Sequence, residues 1–203
     1  MANSNAPFGL RPVGKIGSEA INMGTSKYEI ASGESDIIMK GDLVKLESSG
    51  KITKSGNSDA VAAIGVFNGC FYNDPTTQKP TFSNYYPGSI TPTQGVIEAF
   101  VYDDPNMLFE IQADGVIAGD KVGRNSNIVY AVGDTINGQS KTELNSTTEN
   151  AGVTGQLRIV RICEDPDNSD IASANANWIV RINEHQYYAD KLGVYAIGEI
   201  EQW

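Results

Sequence analysis

Apolar and polar positions along the chain alternate in short bursts, with no long helical stripe. Runs of strand length, β-branched or alternating in character, fall at 28–30, 36–39, 43–46, 51–54, 60–67, 96–102, 108–111, 128–132, 157–162 and 178–183. Turn-forming clusters lie between them, among them Ser48-Ser49-Gly50, Ser55-Gly56-Asn57, Asp103-Asp104-Pro105-Asn106 and Asn137-Gly138. In such clusters Pro presets φ, Gly supplies positive φ, and Asn or Asp side chains bond the backbone just ahead. The pattern predicts an all-β barrel or sandwich of many short strands with long surface loops. Only 184–192 has the makings of a short helix.

The chain reads as one domain. An extended N-terminal arm is expected over 1–18, a single β-barrel or sandwich over 19–186, and a C-terminal tail over 187–203. Loop excursions are expected at 73–88, 123–155 and 165–176, where Asn, Ser, Thr, Gly and Pro dominate. Two Gly-Asp-x-Val segments, Gly41-Asp42-Leu43-Val44 and Gly119-Asp120-Lys121-Val122, suggest two related β-corners, and Gly133-Asp134 repeats half of the pattern. With 203 residues, a chain of this kind can bury about 70% of its unfolded surface and needs no staple.

Charge narrows the partners. Asp and Glu number 25 against 15 Lys and Arg, a formal net charge of -10, which argues against a protein that grips nucleic-acid phosphates or an anionic membrane. The imbalance is uneven: residues 1–60 hold 7 cations and 7 carboxylates, so the whole excess lies beyond them. Cys70 and Cys163 stand far apart in apolar runs and are expected as two buried free thiols. The opening Met1-Ala2-Asn3-Ser4-Asn5-Ala6-Pro7 has no apolar leader segment, and no run reaches the length of a membrane-spanning helix, so a protein made and kept in water is expected.

Candidate chemistry is sparse. His185 is the single histidine, it has no Gly-x-Ser-x-Gly partner motif, and it is expected at the surface or an interface. Zinc would need four ligands at short spacing. The acidic string from Glu164 to Asp170 places Asp165, Asp167 and Ser169 at the first, third and fifth positions of a calcium loop. It then offers Asp170 where the loop needs Gly and Ala176 where it needs Glu, which leaves a solvated loop. Neither a dinucleotide fingerprint nor a P-loop occurs. No catalytic residue, metal ligand or cofactor is expected, and the protein is read as a non-enzyme.

The aromatics say more. Of 17 Phe, Tyr and Trp residues, 9 lie between 67 and 109. Phe67, Phe100 and Phe109 sit in strand-like runs and are expected in the core. Phe71, Tyr72, Phe82, Tyr85 and Tyr86 flank an almost uncharged, Pro-containing loop over 73–88, the composition either of an interface centre or of a loop folded over its own barrel. The arm carries Phe8, Arg11 and Lys15 without an acidic group, and the tail runs through Tyr187 and Tyr188 to Trp203. Phe8, Arg11, Lys15, Phe71, Tyr72, Tyr85, Tyr86, Tyr187, Tyr188 and Trp203 are therefore the candidate partner-binding residues. The alternative is a carbohydrate-binding β-sandwich in which Tyr85, Tyr86 or Trp178 stacks on sugar faces.

Three segments resemble a known family: Ile38-Met-Lys-Gly-Asp-Leu-Val-Lys-Leu46, Gly50-Lys-Ile-Thr-Lys54 and Ala63-Ile-Gly-Val-Phe-Asn-Gly69. Their order is similar to the barrel of tailed-bacteriophage capsid decoration (cement) proteins. Ala6-Pro-Phe-Gly-Leu-Arg-Pro12 and Asn177 to His185 resemble small structural proteins of marine podoviruses. The resemblance implies a structural virion protein on the capsid exterior, made in the host cytoplasm. It would bind the major capsid protein, bridge its subunits and stabilise the shell. It also implies a homo-oligomer, with a trimer favoured, and no contact with nucleic acid or membrane.

Overall fold

A computed structural model describes residues 3–17, 24–57, 61–149, 152–168, 170 and 172–188. Its strands are β1 (Arg11–Lys15), β2 (Ser26–Ile30), β3 (Leu43–Leu46), β4 (Ile52–Lys54), β5 (Gly65–Asn73), β6 (Pro80–Ser83) and β7 (Ile97–Tyr102), followed by β8 (Met107–Gln112), β9 (Asn125–Ser126), β10 (Ile128–Val129), β11 (Glu143–Leu144), β12 (Leu157–Ile162) and β13 (Asn177–Ile182). The fold is all-β, as the alternation predicts. The only helical pieces among the described residues are two single 3₁₀ turns. Residues 184–188 form turns and a bridge in place of the expected helix, and 189–192 lie outside the described residues.

One sheet runs β3-β4-β2-β7-β5-β6, and β3 also pairs with β5. That second pairing brings the sheet round on itself, so β2, β3, β4, β5 and β7 form a closed barrel. Closure leaves no free edge in the ring. β6 is added to the far half of β5 as a flap, Cys70↔Ser83 through Asn73↔Pro80. The barrel interior holds Ile30, Val44, Ile52, Phe67, Cys70, Tyr72, Ile97, Ala99 and Val101. On β7 the inward Ile97, Ala99 and Val101 alternate with partly exposed Glu98, Phe100 and Tyr102, as a two-residue period requires.

A second, antiparallel sheet runs β1-β8-β13-β12-β9. Its apolar face, with Met107, Phe109, Leu157, Ile159, Trp178 and Val180, packs on Leu43 and Val66. Those two residues are a cross-strand pair facing away from the barrel interior, whose own side receives their neighbours Val44 and Phe67. Consecutive residues of β3 and β5 thus serve two cores, and a one-residue slip would empty both. β10 and β11 form a separate hairpin-like pair beside this sheet.

The Gly41-Asp42 corner locks the two halves together. Gly41 adopts φ 95°, and a Cβ there would lie 3.1 Å from the Phe8 carbonyl. Asp42 is buried and its carboxylate accepts from Met39 N at 2.9 Å, Ser140 Oγ at 2.5 Å and Thr142 Oγ1 at 3.2 Å. The segment at 119–122 differs: Gly119–Lys121 is an exposed 3₁₀ turn and starts no strand, so the two Gly-Asp-x-Val segments are not equivalent corners.

Further expectations are corrected. Within the expected arm, 11–15 is strand β1, paired with β8 from Arg11↔Glu110 to Lys15↔Met107. Leu10 just before it is in the core. Within the expected loop 73–88, Pro80–Ser83 is a strand. Phe67 and Phe109 are core residues, but Phe100 is half-exposed on the outer face. Cys70 is buried and Cys163 only partly so.

Candidate functional site

Local register decides which aromatics reach the surface. β5 carries a bulge between Phe67 and Gly69 that inserts Asn68. The extra residue shifts the alternation, so Cys70 and Tyr72 point into the barrel and Phe71 points out. Phe71 lies opposite Phe82 across the β5–β6 pair. The Phe82 ring covers Gly69, where a Cβ would come within 3.2 Å of it, and packs against Phe100 with centroids 5.9 Å apart. Phe82 nevertheless remains 61% exposed and Phe71 37%.

A shallow pocket adjoins this face, lined by Phe82, Asn84, Tyr85, Ile136, Asn137 and Gly138. It carries no charged side chain. Gly138 presses onto residues 84 and 85: with φ 72°, a Cβ would meet Asn84 Cβ at 3.0 Å and Tyr85 Cδ1 at 3.1 Å. Beside it, Ile136 is 95% exposed. On the far side of the 134–139 loop a cleft opens between β1 and the barrel, lined by residues including Leu10, Arg11, Lys40, Asn68, Tyr102 and Gln139. Tyr102 is the next outward residue after Phe100 on β7, so the face, the pocket and the cleft form one continuous surface.

The sequence-derived candidates separate into three groups. Phe71 and Tyr85 belong to this surface, and Phe8 and Arg11 stand at its cleft end, the guanidinium 4.6 Å above the Phe8 ring. Arg11 is also bound to Glu110 at 2.5 Å. Tyr72 and Tyr86 do not belong: both are buried in the barrel core. Tyr86 donates its hydroxyl to the Glu34 carbonyl and accepts from Ile90 N, so it is a structural pin and no contact residue. Trp178 is likewise buried in the second core, which removes it as a sugar platform.

Lys15, Tyr187 and Tyr188 gather elsewhere, around the 103–106 turn. Lys15 pairs with Asp104, whose carboxyl this contact holds below the usual carboxylate range. Tyr188 donates to the Pro105 carbonyl, and the Tyr187 hydroxyl meets Tyr28, which in turn bonds Asp103. Under these rings lies His185, which is fully buried, contrary to the surface position expected of it. Its Nδ1 accepts from Tyr187 N at 3.1 Å. Burial pushes its pKa down to about 4, against the pull of Asp103 and Asp104. The Lys15 and His185 region is therefore a network folded onto the 103–106 turn, buried at His185 and open at Tyr187, which is 56% exposed. Trp203 lies outside the described residues.

Among the described residues no group of three or more His, Cys, Asp or Glu is placed to hold a metal ion. The 165–176 loop is held from inside by Asn168, whose side chain bonds Cys163 and Asn177. Sequence reasoning did not select Lys40, Asn68, Tyr102 or Ile136. They become neighbours only through barrel closure and the approach of the 134–139 loop.

No protein-family model, curated protein or solved structure matches the chain.

Proposed function

We propose that the chain is a structural virion protein that binds the outer surface of a phage capsid and stabilises the shell by bridging major capsid protein subunits. The observation that carries this reading is the outward line of Phe71, Phe82 and Phe100 beside Ile136. It is an aromatic surface on a chain of net charge -10, bordered on the β7–β2 side by the Lys27–Glu98 ion pair, which lies across from Phe100 and Phe71. Rigid aromatics supply large contact area at small entropic cost, and depletion of charge marks the centres of protein interfaces. The resemblance of 38–46, 50–54 and 63–69 to decoration proteins supports the same reading, since these segments build β3, β4 and the start of β5.

Stabilisation follows from mass action. A protein that binds the mature shell better than its precursors or fragments shifts the equilibrium toward it, and many copies on a symmetric lattice multiply a modest affinity. Replacing Phe82 by Asp tests the reading. The side chain is mostly exposed, so the fold survives, while capsid affinity falls by about tenfold or more. Undiminished occupancy of purified virions by this variant would remove the aromatic face from the account.

One observation favours a second reading, a carbohydrate-binding module. The pocket beside Phe82 joins an exposed ring to Asn84, Tyr85 and Asn137 without a charged side chain, and aromatic faces with amides suit neutral sugars. Glycan binding in the absence of any affinity for capsids would select it.

A further inference from the structure

The cleft between β1 and the barrel has a chemistry distinct from the aromatic face. It encloses about 240 Å³, and its polar lining is rich in donors: Lys40, Asn68, Tyr102 and Arg11. Among the described residues, no hydrogen bond or ion pair engages the Lys40 ammonium, the Asn68 amide or the Tyr102 hydroxyl. An ammonium is donor-only, and the amide and hydroxyl each bring at least one further donor. The Tyr102 hydroxyl, like any phenol at neutral pH, is protonated and able to donate, and burial raises its pKa further.

We propose that this cleft is a receptor for a carboxylate, filled by an Asp or Glu side chain of the partner surface that the aromatic face meets. The proposal rests on the docking reading above and names the chemistry that orients it. Arg11 is already neutralised by Glu110, so Lys40 is the uncompensated charge of the cleft. One positive charge matches a carboxylate and leaves a phosphate dianion under-neutralised. Pro12 stands on the apolar side of the cleft, with the buried Leu10 and Phe67 behind it.

The walls are set before any ligand arrives. Leu10 N donates to the Gly41 carbonyl at 2.9 Å, and Gln139 Nε2 donates to the carbonyls of Phe8 and Lys40. These bonds tie the N-terminal segment, the barrel corner and the 134–139 loop to one another. A preformed site loses little freedom on binding, so a single charge-assisted contact in it contributes to specificity.

The test uses the intact protein, observed by NMR, and two small probes differing in charge alone: N-acetyl-glutamate N-methylamide and its glutamine counterpart. At low salt the glutamate compound moves the side-chain resonances of Asn68 and Gln139 saturably, and the glutamine compound does not. Lys40→Met weakens the glutamate response about tenfold, and Lys40→Arg retains most of it. Equal responses to the two probes, an unaltered response in Lys40→Met, or tighter binding of inorganic phosphate would each overturn the proposal. Co-sedimentation with virions separates it from the reading it rests on. If the wild-type protein ignores capsids yet binds the glutamate probe, the receptor stands and the docking partner is wrong. If it binds capsids and Lys40→Met binds equally well with no probe response, the receptor falls.

Discussion

At the scale of single residues, the side chains with the most consequence for stability are polar groups sealed inside an apolar fold. His185 is the sharpest case. In the folded chain its pKa is about 4, below the ordinary 6.5, so between these values the unfolded chain binds a proton that the folded chain refuses. Stability is therefore full above pH 6.5 and declines as the pH falls toward 4, by about 3 kcal/mol at roughly 1.4 kcal/mol per unit. Urea midpoints of wild type and His185→Gln measured from pH 7.5 to 4, where the variant loses this slope, check the sign. Parallel curves would contradict it. The thiols give a second check. Burial pushes Cys70 up to about 12 and also raises Cys163, which is only partly covered. A thiol reagent should label Cys163 slowly in the native protein and reach Cys70 only on unfolding; mass mapping of the labelled peptide decides.

At the scale of elements, strands with their own alternating, β-branched pattern were legible in the sequence, and strands made by their neighbours were not. The runs at 43–46 and 157–162 coincide with β3 and β12 because short runs rich in Leu, Val and Ile stand there between turn-forming segments. β1, with Pro12 and Gly14 in five residues, is a strand only because β8 offers it an edge. The bulge at Asn68 is equally silent in sequence, yet it decides that Phe71 faces out and Tyr72 in. For this reason the composition located an exposed aromatic neighbourhood but could not sort its members. Closure adds a testable demand. At Gly65 a Cβ would lie 2.2 Å from the Tyr102 carbonyl and 2.8 Å from Val101 Cγ1. Gly65→Ala must push β5 from β7 where the barrel shuts, a loss of about 3 kcal/mol measurable by chemical denaturation. Wild-type stability in that variant would mean the closure is looser than the geometry describes. Strand β1 also changes what truncation tests: deleting 1–15 removes Leu10 and an edge strand, so loss of capsid affinity would accompany loss of stability.

At the scale of the whole molecule, two cores share β3 and β5, and the surface over their junction carries the aromatic line, the neutral pocket and the cationic cleft. The acidic excess lies beyond residue 60, while the cleft draws Arg11 and Lys40 from the neutral first part of the chain. On the proposed reading, an acidic body with a cationic cleft beside its aromatic face repels DNA over most of its surface and approaches its partner by that face. Such a protein would act by occupancy. The most direct measurement of the proposed role is co-sedimentation of the purified protein with tailed-phage virions, with copy number counted against the major capsid protein. The account predicts saturable binding at a fixed ratio set by capsid symmetry, lost in Phe82→Asp and weakened in Lys40→Met. Absence of binding, or binding with no saturation and no dependence on either residue, would contradict it.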